Sequence, residues 1–317
     1  MSHVVLLERE ADVYVAAEQA ASVAEEAGFD RYARADIETA VSEICSNVVR
    51  HAEGGWLAIR LRAGGFEVAA TDRGPGFGAP PRGRAGLGIG LEGARRLMGS
   101  LEVESIPGGS RVTATRPLPS HPPSPSWGPW AVSVVYRARA GEAVSGDAAR
   151  VETVGDELRI GLADGLGSGV HAARTARAVL AGMELPHARG PAAALEAAHR
   201  ASGHTRGAAA AVVFLQPDGQ GVFSGLGDVS GIAAGSGELR ARPGMVGHGR
   251  PDPVDVPFRV EAGGSVLLWS DGIHRPLLRG RADSRGFSLH HEDVEMAVLE
   301  LGSPRQDGTL LAVRPGA

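Results

Sequence analysis

Lysine is absent from this chain, since all 32 residues counted as Lys or Arg are arginines. Without lysine there can be no P-loop, whose lysine reaches the β- and γ-phosphates, and no protein-kinase fold, whose strand lysine holds the α- and β-phosphates. Schiff-base catalysis by a lysine amine is excluded as well. Any chemistry on a nucleotide must therefore be organised by other groups.

Cysteine, long apolar runs and excess positive charge are also missing. Cys45 stands alone, so neither an internal disulfide nor a cysteine zinc site can form. No segment approaches the roughly 20 apolar residues that a membrane helix needs, and the N-terminus lacks the pattern of a secretory signal. A net charge of −5 gives no electrostatic footprint for nucleic acid. These absences predict a cytoplasmic protein that binds neither membrane nor nucleic acid.

The length of 317 residues and a hydrophobic content of 43% indicate two globular domains. The boundary is marked by residues 117–129, where six of thirteen residues are proline. Such a segment forms an extended spacer that continues neither a helix nor a sheet. We therefore predict domains at 1–116 and 131–317, joined by a linker at 117–130.

Both parts are predicted to be α+β. Apolar periodicity in the first part indicates helices at 11–28, 32–51 and 91–98, and strands at 56–62, 66–71, 101–105 and 110–116. The second part is richer in strand. Its predicted strands are 131–137, 157–163, 209–215, 221–226, 265–269 and 309–313, and its predicted helices are 168–181, 191–201 and 292–301.

Three short motifs in the first part suit a nucleotide. Glu43 and Asn47 lie four apart on one face of the second helix, and Asn47 offers an oxygen that Mg²⁺ accepts. Asp72 follows a strand and can accept a hydrogen bond from the exocyclic amine of adenine. A glycine run at 86–90 then leads into a helix, where backbone N–H groups can approach phosphates closely.

In this order the motifs resemble the GHKL (Bergerat-fold) ATPases, and residues 86–105 resemble the RsbT-type anti-sigma-factor serine kinases. The resemblance implies an ATP site with Mg²⁺ on Asn47, adenine on Asp72 and Glu43 as the general base for an acceptor serine. The other ATP-binding residues that it implies are Gly74, Gly76, Gly86, Gly88, Gly90 and Ser110.

Aspartates in the second part recur beside glycine at predicted strand ends: Asp147, Asp164, Asp271 and Asp307. A single Asp-Gly pair is usually a tight turn. Several carboxylates brought together by strands, however, form the oxygen site that Mg²⁺ or Mn²⁺ needs, and two such ions can activate a water for attack on a phosphoryl group. Because Asp164 lies between an apolar strand and a glycine turn, we expect its carboxylate to bridge two metals.

The residues around these aspartates resemble the SpoIIE/RsbX branch of metal-dependent serine/threonine phosphatases, an αββα sandwich of the PPM type. The resemblance spans about 131–314 and implies metal ligation by Asp147, Asp164, Gly165 and Asp271. The family usually ends in Asp-Asp-x-Thr, but here the run is Gln306-Asp307-Gly308-Thr309. Either Asp307 supplies the missing ligand or the second metal is held weakly.

Together the two resemblances imply a bifunctional switch in a sigma-factor partner-switching pathway. An RsbT-like kinase using ATP and Mg²⁺ and an RsbX-like phosphatase using Mn²⁺ or Mg²⁺ would act on a STAS-domain phosphoprotein similar to RsbS or RsbR. Two alternatives stay open. In one, the first domain only senses nucleotide and regulates the phosphatase. In the other, the chain sequesters its partner without catalysis. Homodimer formation is also left open.

Overall fold

The structure, a computed structural model, describes residues 1–52, 54–62, 64–74, 87–119, 127–274 and 290–315, with the backbone alone at 87–89, 291 and 315. The chain forms two compact units, Met1–Pro125 and Ser126–Ala317, which we call the front domain and the rear domain. Among the described residues, no helix combines the length and the apolar character needed to cross a membrane.

The front domain is an antiparallel sheet with helices packed on one face. The strand order is β1-β2-β3-β5-β4. The strands are β1 (Ser2–Leu7), β2 (Gly55–Arg62), β3 (Gly65–Asp72), β4 (Ser100–Ile106) and β5 (Gly109–Arg116), and the helices are α1 (Glu10–Glu26), α2 (Arg31–His51) and α3 (Leu87–Met98). Apolar residues of helices and strands form one core, which includes Leu7, Ile44, Leu57 and Phe66.

Helix α2 positions two of the predicted site residues. It begins at a cap in which the Asp30 carboxylate accepts the backbone N–H groups of Tyr32 and Ala33, at 2.9 and 2.8 Å. Its apolar stripe faces the core, as the 3.6-residue period predicts: Ile37, Val41, Ile44 and Val48 are all buried. Because the stripe fixes the rotation of the helix, Glu43 is exposed and Asn47 is only partly covered.

The rear domain is a sandwich of two antiparallel sheets, ordered β12-β11-β14-β15-β6 and β13-β10-β9-β8-β7. The strands are β6 (Trp130–Arg137), β7 (Asp147–Val154), β8 (Glu157–Gly165), β9 (Ala208–Leu215), β10 (Gln220–Leu226), β11 (Ser230–Ala233), β12 (Gly237–Arg240), β13 (Val256–Arg259), β14 (Val266–Trp269) and β15 (Gly308–Pro315). The helices are α4 (Gly169–Gly182), α5 (Pro191–Ala201) and α6 (His291–Leu301).

Two apolar cores hold this sandwich together. One lies between the sheets and includes Ile160, Phe223 and Leu311. The other lies between β8–β9 and the pair α4–α5. Helix α6 packs against β6 and β15 of the other sheet, so the layers run αββα as expected for a PPM-type phosphatase.

Sequence reasoning missed several strands and misplaced the start of one helix. Strands β1, β7, β11, β12 and β13 were not predicted. Strand β7 has the sequence DAARVETV, in which alanine and charge hide the alternation that marks a strand. The helix predicted from Leu91 begins at Leu87, so Gly88 and Gly90 lie in its first turn rather than in a loop. Each glycine inside a helix costs about 1 kcal/mol relative to alanine, which is why the sequence favoured a loop.

Candidate active sites

In the front domain, Asp72 is anchored through one carboxylate oxygen. Its Oδ1 accepts the backbone N–H of Gly74 at 2.8 Å and that of Ser110 at 3.1 Å. Asp72 is the last residue of β3, and Ser110 lies in the neighbouring strand β5, so sheet pairing brings them together. With Oδ1 held by two amides, Oδ2 is the oxygen that can accept a further hydrogen bond, such as one from an exocyclic amine.

Glycines keep the space around Asp72 open. A Cβ at Gly74 would lie 3.0 Å from Ala52 Cβ and 3.1 Å from Asp72 Oδ1, which is too close for most side chains. A Cβ at Gly109 would overlap the carbonyl oxygen of Asp72. The family resemblance implies that Gly74 and Ser110 share the adenine site with Asp72, and the structure brings these three residues together. Gly76 and Gly86, predicted for the same site, lie outside the described residues.

Glu43 meets the start of helix α3. A Cβ at Gly90 would overlap the Glu43 Oε2 atom, so the absence of a side chain at Gly90 lets the carboxylate lie against the first turn of α3. The first N–H groups of a helix lack partners within the helix and carry partial positive charge, which favours an anion there. Gly88 lies in the same turn, and the N-terminal amides of a helix are groups that can bind phosphate.

Asn47 lies one helical turn after Glu43, and its amide nitrogen Nδ2 is buried without a hydrogen-bond partner among the described residues. A buried polar atom without a partner costs free energy, so the contacts among the described residues leave this amide group unsatisfied. Its oxygen Oδ1 is of the type that Mg²⁺ accepts.

In the rear domain, Asp147 and Asp164 lie directly opposite each other. They are paired residues of the antiparallel strands β7 and β8. Directly opposite side chains have Cβ atoms about 4.5–5.5 Å apart, and like charges at such positions are destabilising. The fold therefore holds two carboxylates together against their repulsion.

Among the described residues, only one of the two Asp147 carboxylate oxygens accepts hydrogen bonds. Its Oδ2 accepts the hydroxyl groups of Ser270 and Thr309, each at 2.7 Å, and the Ser270 oxygen in turn accepts the Thr309 N–H at 2.9 Å. Its Oδ1 is buried and has no hydrogen-bond partner among the described residues. These contacts fix the orientation of the carboxylate while leaving one oxygen for a cation.

The pKa values of these carboxyls reflect their crowding. Burial raises the pKa of Asp147, against the hydrogen bonds from Ser270 and Thr309. Burial, followed by the charges of Asp147 and Asp271, also raises the pKa of Asp164. A site that disfavours its own negative charge in the absence of metal is one in which a divalent cation removes a large electrostatic penalty.

Asp307 is a buried residue held by backbone amides. Its Oδ1 accepts the Arg139 N–H at 2.9 Å, and burial raises its pKa although the Arg139 and Gly146 amides oppose the rise. A Cβ at Gly146 would lie 2.7 Å from Asp307 Oδ2, so Gly146 is what lets this carboxylate approach the start of β7. Asp307 thus organises the loops as well as adding charge to the cluster.

Gln306 lies beside Asp271. Its Nε2 donates to Asp271 Oδ2 at 2.6 Å, so the side chain at the position that departs from the family pattern touches a predicted ligand. Burial and then the charge of Asp228 raise the pKa of Asp271. Asp228 was not predicted as a site residue. It follows β10 within Gly227-Asp228, the same strand-end glycine–aspartate pattern that marked the others, and that pattern could have revealed it.

Comparisons with known proteins identify the family of the front domain and the fold of the rear domain. Residues 7–116 match the family described as Histidine kinase-like ATPase domain. Over 119 residues the chain is 33% identical to serine/threonine-protein kinase RsbT of Bacillus subtilis (strain 168), covering 33% of this chain and 88% of RsbT. Through its front domain, the chain belongs to the RsbT family.

Solved structures account for the rest of the chain. RsbX in complex with magnesium aligns with a TM-score of 0.52 at 19% identity, covering 68% of this chain and all of RsbX. A structure from work on the bacterial stressosome, as a modular system adapted to control secondary messenger signalling, aligns with a TM-score of 0.53 at 28% identity over 58% of this chain. The RsbT-like front domain is thus joined to a rear domain with the PP2C-type phosphatase fold.

The rear-domain residues fit a divalent metal in their chemistry. The predicted ligands are all oxygens, and Asp147 Oδ1 is an orphaned buried acceptor. Within the part of the chain that the structure describes, no three His, Cys, Asp or Glu side chains lie close enough together to hold a metal ion. The aspartates form a close pair, Asp147 and Asp164, with Asp271 and Asp307 acting on that pair through their charge. Gly165, also predicted as a ligand, packs tightly against the backbone of Ala172 in α4.

Proposed function

We propose that the rear domain is a Mg²⁺- or Mn²⁺-dependent protein phosphatase that removes phosphate from serine or threonine. The paired carboxylates of Asp147 and Asp164, with Asp147 Oδ1 buried and unpartnered in the described part of the chain, carry this proposal. When bound, the metal would activate water and neutralise phosphoryl charge. Asp147 and Asp164 would hold it, with Ser270 and Thr309 fixing the Asp147 carboxylate and Asp271 adding negative charge nearby. Water adds to phosphorus, the P–O bond to the side chain breaks, and the leaving oxygen takes a proton.

We further propose that the front domain is an ATP-dependent protein serine kinase. Asp72 Oδ2 accepts the adenine amine, and the first turn of α3, with Gly88 and Gly90, faces the phosphates. Glu43 accepts the proton of the acceptor hydroxyl as its oxygen bonds to the γ-phosphorus and the bond to ADP breaks. The position of the Glu43 carboxylate against Gly90 supports this, because it places a base next to the helix end that would hold phosphate.

The substrate that we propose for both domains is a STAS-domain regulator of a partner-switching system. The likeness to RsbT and to a structure from the stressosome supports this class of target. A kinase and a phosphatase on one chain would set the phosphorylation level of that regulator in opposite directions.

A direct test measures phosphate gain and loss on a candidate STAS protein. Full-length chain with ATP and Mg²⁺ should add phosphate to serine or threonine, and chain with Mn²⁺ but no ATP should remove it from the phosphorylated protein. If the chain removes phosphate from the STAS protein but does not add it, the alternative in which the front domain only senses nucleotide is favoured. Neither activity, with retained binding of the STAS protein, would favour a sequestering module, an alternative for which the Gln306–Asp271 contact is the motivating observation.

A further inference from the structure

Arg206 is a cation close to the proposed phosphatase site. It is exposed, and within the described part of the chain it has neither an ion pair nor a hydrogen bond from its side chain. The guanidinium passes along Gly167, where an added Cβ would lie 3.6 Å from Arg206 Nη1. Gly167 has φ +113°, a conformation that favours glycine. Because glycine has no side chain, the guanidinium can lie close to the backbone at this position.

The backbone connects Arg206 to the carboxylate pair. The N–H of Leu166 donates to the carbonyl oxygen of Gly207 at 3.0 Å, which ties the turn that carries Arg206 to the segment following Asp164. Gly207 has φ +87°, and a Cβ there would collide with Met245 and His248, so this turn is held in place from its other side. Arg206 thus lies on a well-packed turn. This turn is hydrogen-bonded to Leu166, the residue that follows Asp164 and Gly165 at the end of β8.

The positive charge of Arg206 would offset the negative charge that collects at this site when a phosphate approaches. The site gathers several carboxylates, and a phosphoryl dianion must approach them. Arg139, which also lies at this end of the domain, is engaged with Glu142 at 3.6 Å, and its backbone N–H is held by Asp307. Arginine presents a planar fork of donors that matches two phosphate oxygens. We propose that Arg206 binds the phosphoryl group of the phosphoprotein substrate; this rests on the phosphatase activity proposed above.

The approach to Arg206 is open to a protein chain. Leu166 and Val170, on either side of Gly167 in sequence, are 52% and 49% exposed. A phosphoserine entering here would meet the guanidinium while the residues around it pass over exposed side chains. Arg206 is therefore a substrate-binding residue, and its loss should affect substrate affinity far more than turnover.

The test measures Mn²⁺-dependent hydrolysis of a phosphoserine peptide and of p-nitrophenyl phosphate by the full chain. Arg206→Ala should raise KM for both substrates by about 10- to 100-fold, the value of charge-assisted hydrogen bonds to one phosphate, with kcat within about threefold of wild type. Inorganic phosphate, the product, should inhibit the variant more weakly by a similar factor. Arg206→Lys keeps the positive charge but loses the planar fork of donors, so its KM should lie between that of the wild type and that of Arg206→Ala.

Arg200→Ala is the matched control. It removes the same charge from an exposed arginine near the end of α5 and should leave KM unchanged, which separates phosphate binding from a change in overall charge. Thermal melting checks that Arg206→Ala stays folded. Unchanged KM and unchanged phosphate inhibition in a folded variant would overturn the role of Arg206, and so would equal losses in Arg200→Ala. If the wild-type chain itself released no phosphate, the proposed phosphatase activity would fail instead.

Discussion

Asp147 and Asp164 face each other across the antiparallel pair β7–β8, so two carboxylates occupy a position where a folded protein ordinarily avoids like charges. Hydroxyl groups from Ser270 and Thr309 hold Asp147 in place, yet neither contact relieves the repulsion between the two acids. Such an arrangement is stable only when a proton or a cation is shared. This relationship is the basis of the predictions for the rear domain.

Asp164→Asn should abolish Mn²⁺- or Mg²⁺-dependent phosphate release from a phosphoserine protein while leaving the fold intact. The amide keeps the size of the side chain but lacks the charge needed to hold a divalent cation. Phosphate release and thermal melting would be measured on the same samples. Activity that survives EDTA, or that is indifferent to this substitution, would contradict a metal-dependent mechanism.

Metal-free protein should lose stability as pH rises. Burial and neighbouring charges raise the folded-state pKa of Asp164 above its ordinary value of 3.8, so the folded state holds its proton longer than the unfolded state does. The associated stability is fully present below about pH 4 and is lost as pH rises through the folded pKa. Urea unfolding in EDTA between pH 4 and pH 8 would measure this. Asp164→Asn should flatten the slope, and an equal slope in the variant would assign the effect to other groups.

Gln306→Asp should raise metal affinity or turnover in the rear domain. The substitution replaces the amide that donates to Asp271 with a carboxylate at the position where the family usually has one. Titration of activity with Mn²⁺ would report the gain, and Gln306→Glu serves as a control for added charge with a longer reach. No gain from the aspartate would indicate that Asp307 already supplies the missing oxygen.

Asp72→Asn should weaken ATP binding by a few kcal/mol at most, the cost of one mispaired buried polar contact. Asparagine can still accept the Gly74 and Ser110 amides through Oδ1, but it puts a donor where adenine also presents one. A thermal-shift titration of the full chain with ATP and Mg²⁺ would measure the loss. If the wild-type chain shows no shift at millimolar ATP, the assignment of the front site is wrong.

Glu43→Ala should remove phosphoryl transfer but spare ATP binding, because it deletes the base and leaves the phosphate-facing turn of α3 in place. Phosphoryl transfer to a STAS protein and the thermal shift caused by ATP would be measured on the same preparation of the variant. Gly90→Ala is an informative partner, since its methyl group would displace the Glu43 carboxylate without changing any charge. Joint loss of binding and transfer in Glu43→Ala would make Glu43 a structural residue.

The extent of prediction differed between elements for physical reasons. Helix α2 was predicted almost to the residue, because its apolar stripe is a local signal. Strand β7 was missed because alanine and charged residues conceal its alternation, although its first residue was among the predicted ligands. Helix α3 begins one turn earlier than predicted, since packing against α2 outweighs the low helix propensity of Gly88 and Gly90.

The sequence by itself determined the chemical types: a chain without lysine, glycines near the start of a helix, and aspartates beside glycine at strand ends, all of which are local in the chain. The tertiary structure alone decided which of them meet. It paired Asp147 with Asp164, placed Gln306 on Asp271, brought Asp228 to the same end of the sandwich and laid Arg206 beside Gly167. These contacts join residues far apart in sequence, and they depend on strand register and loop packing, which no local pattern encodes.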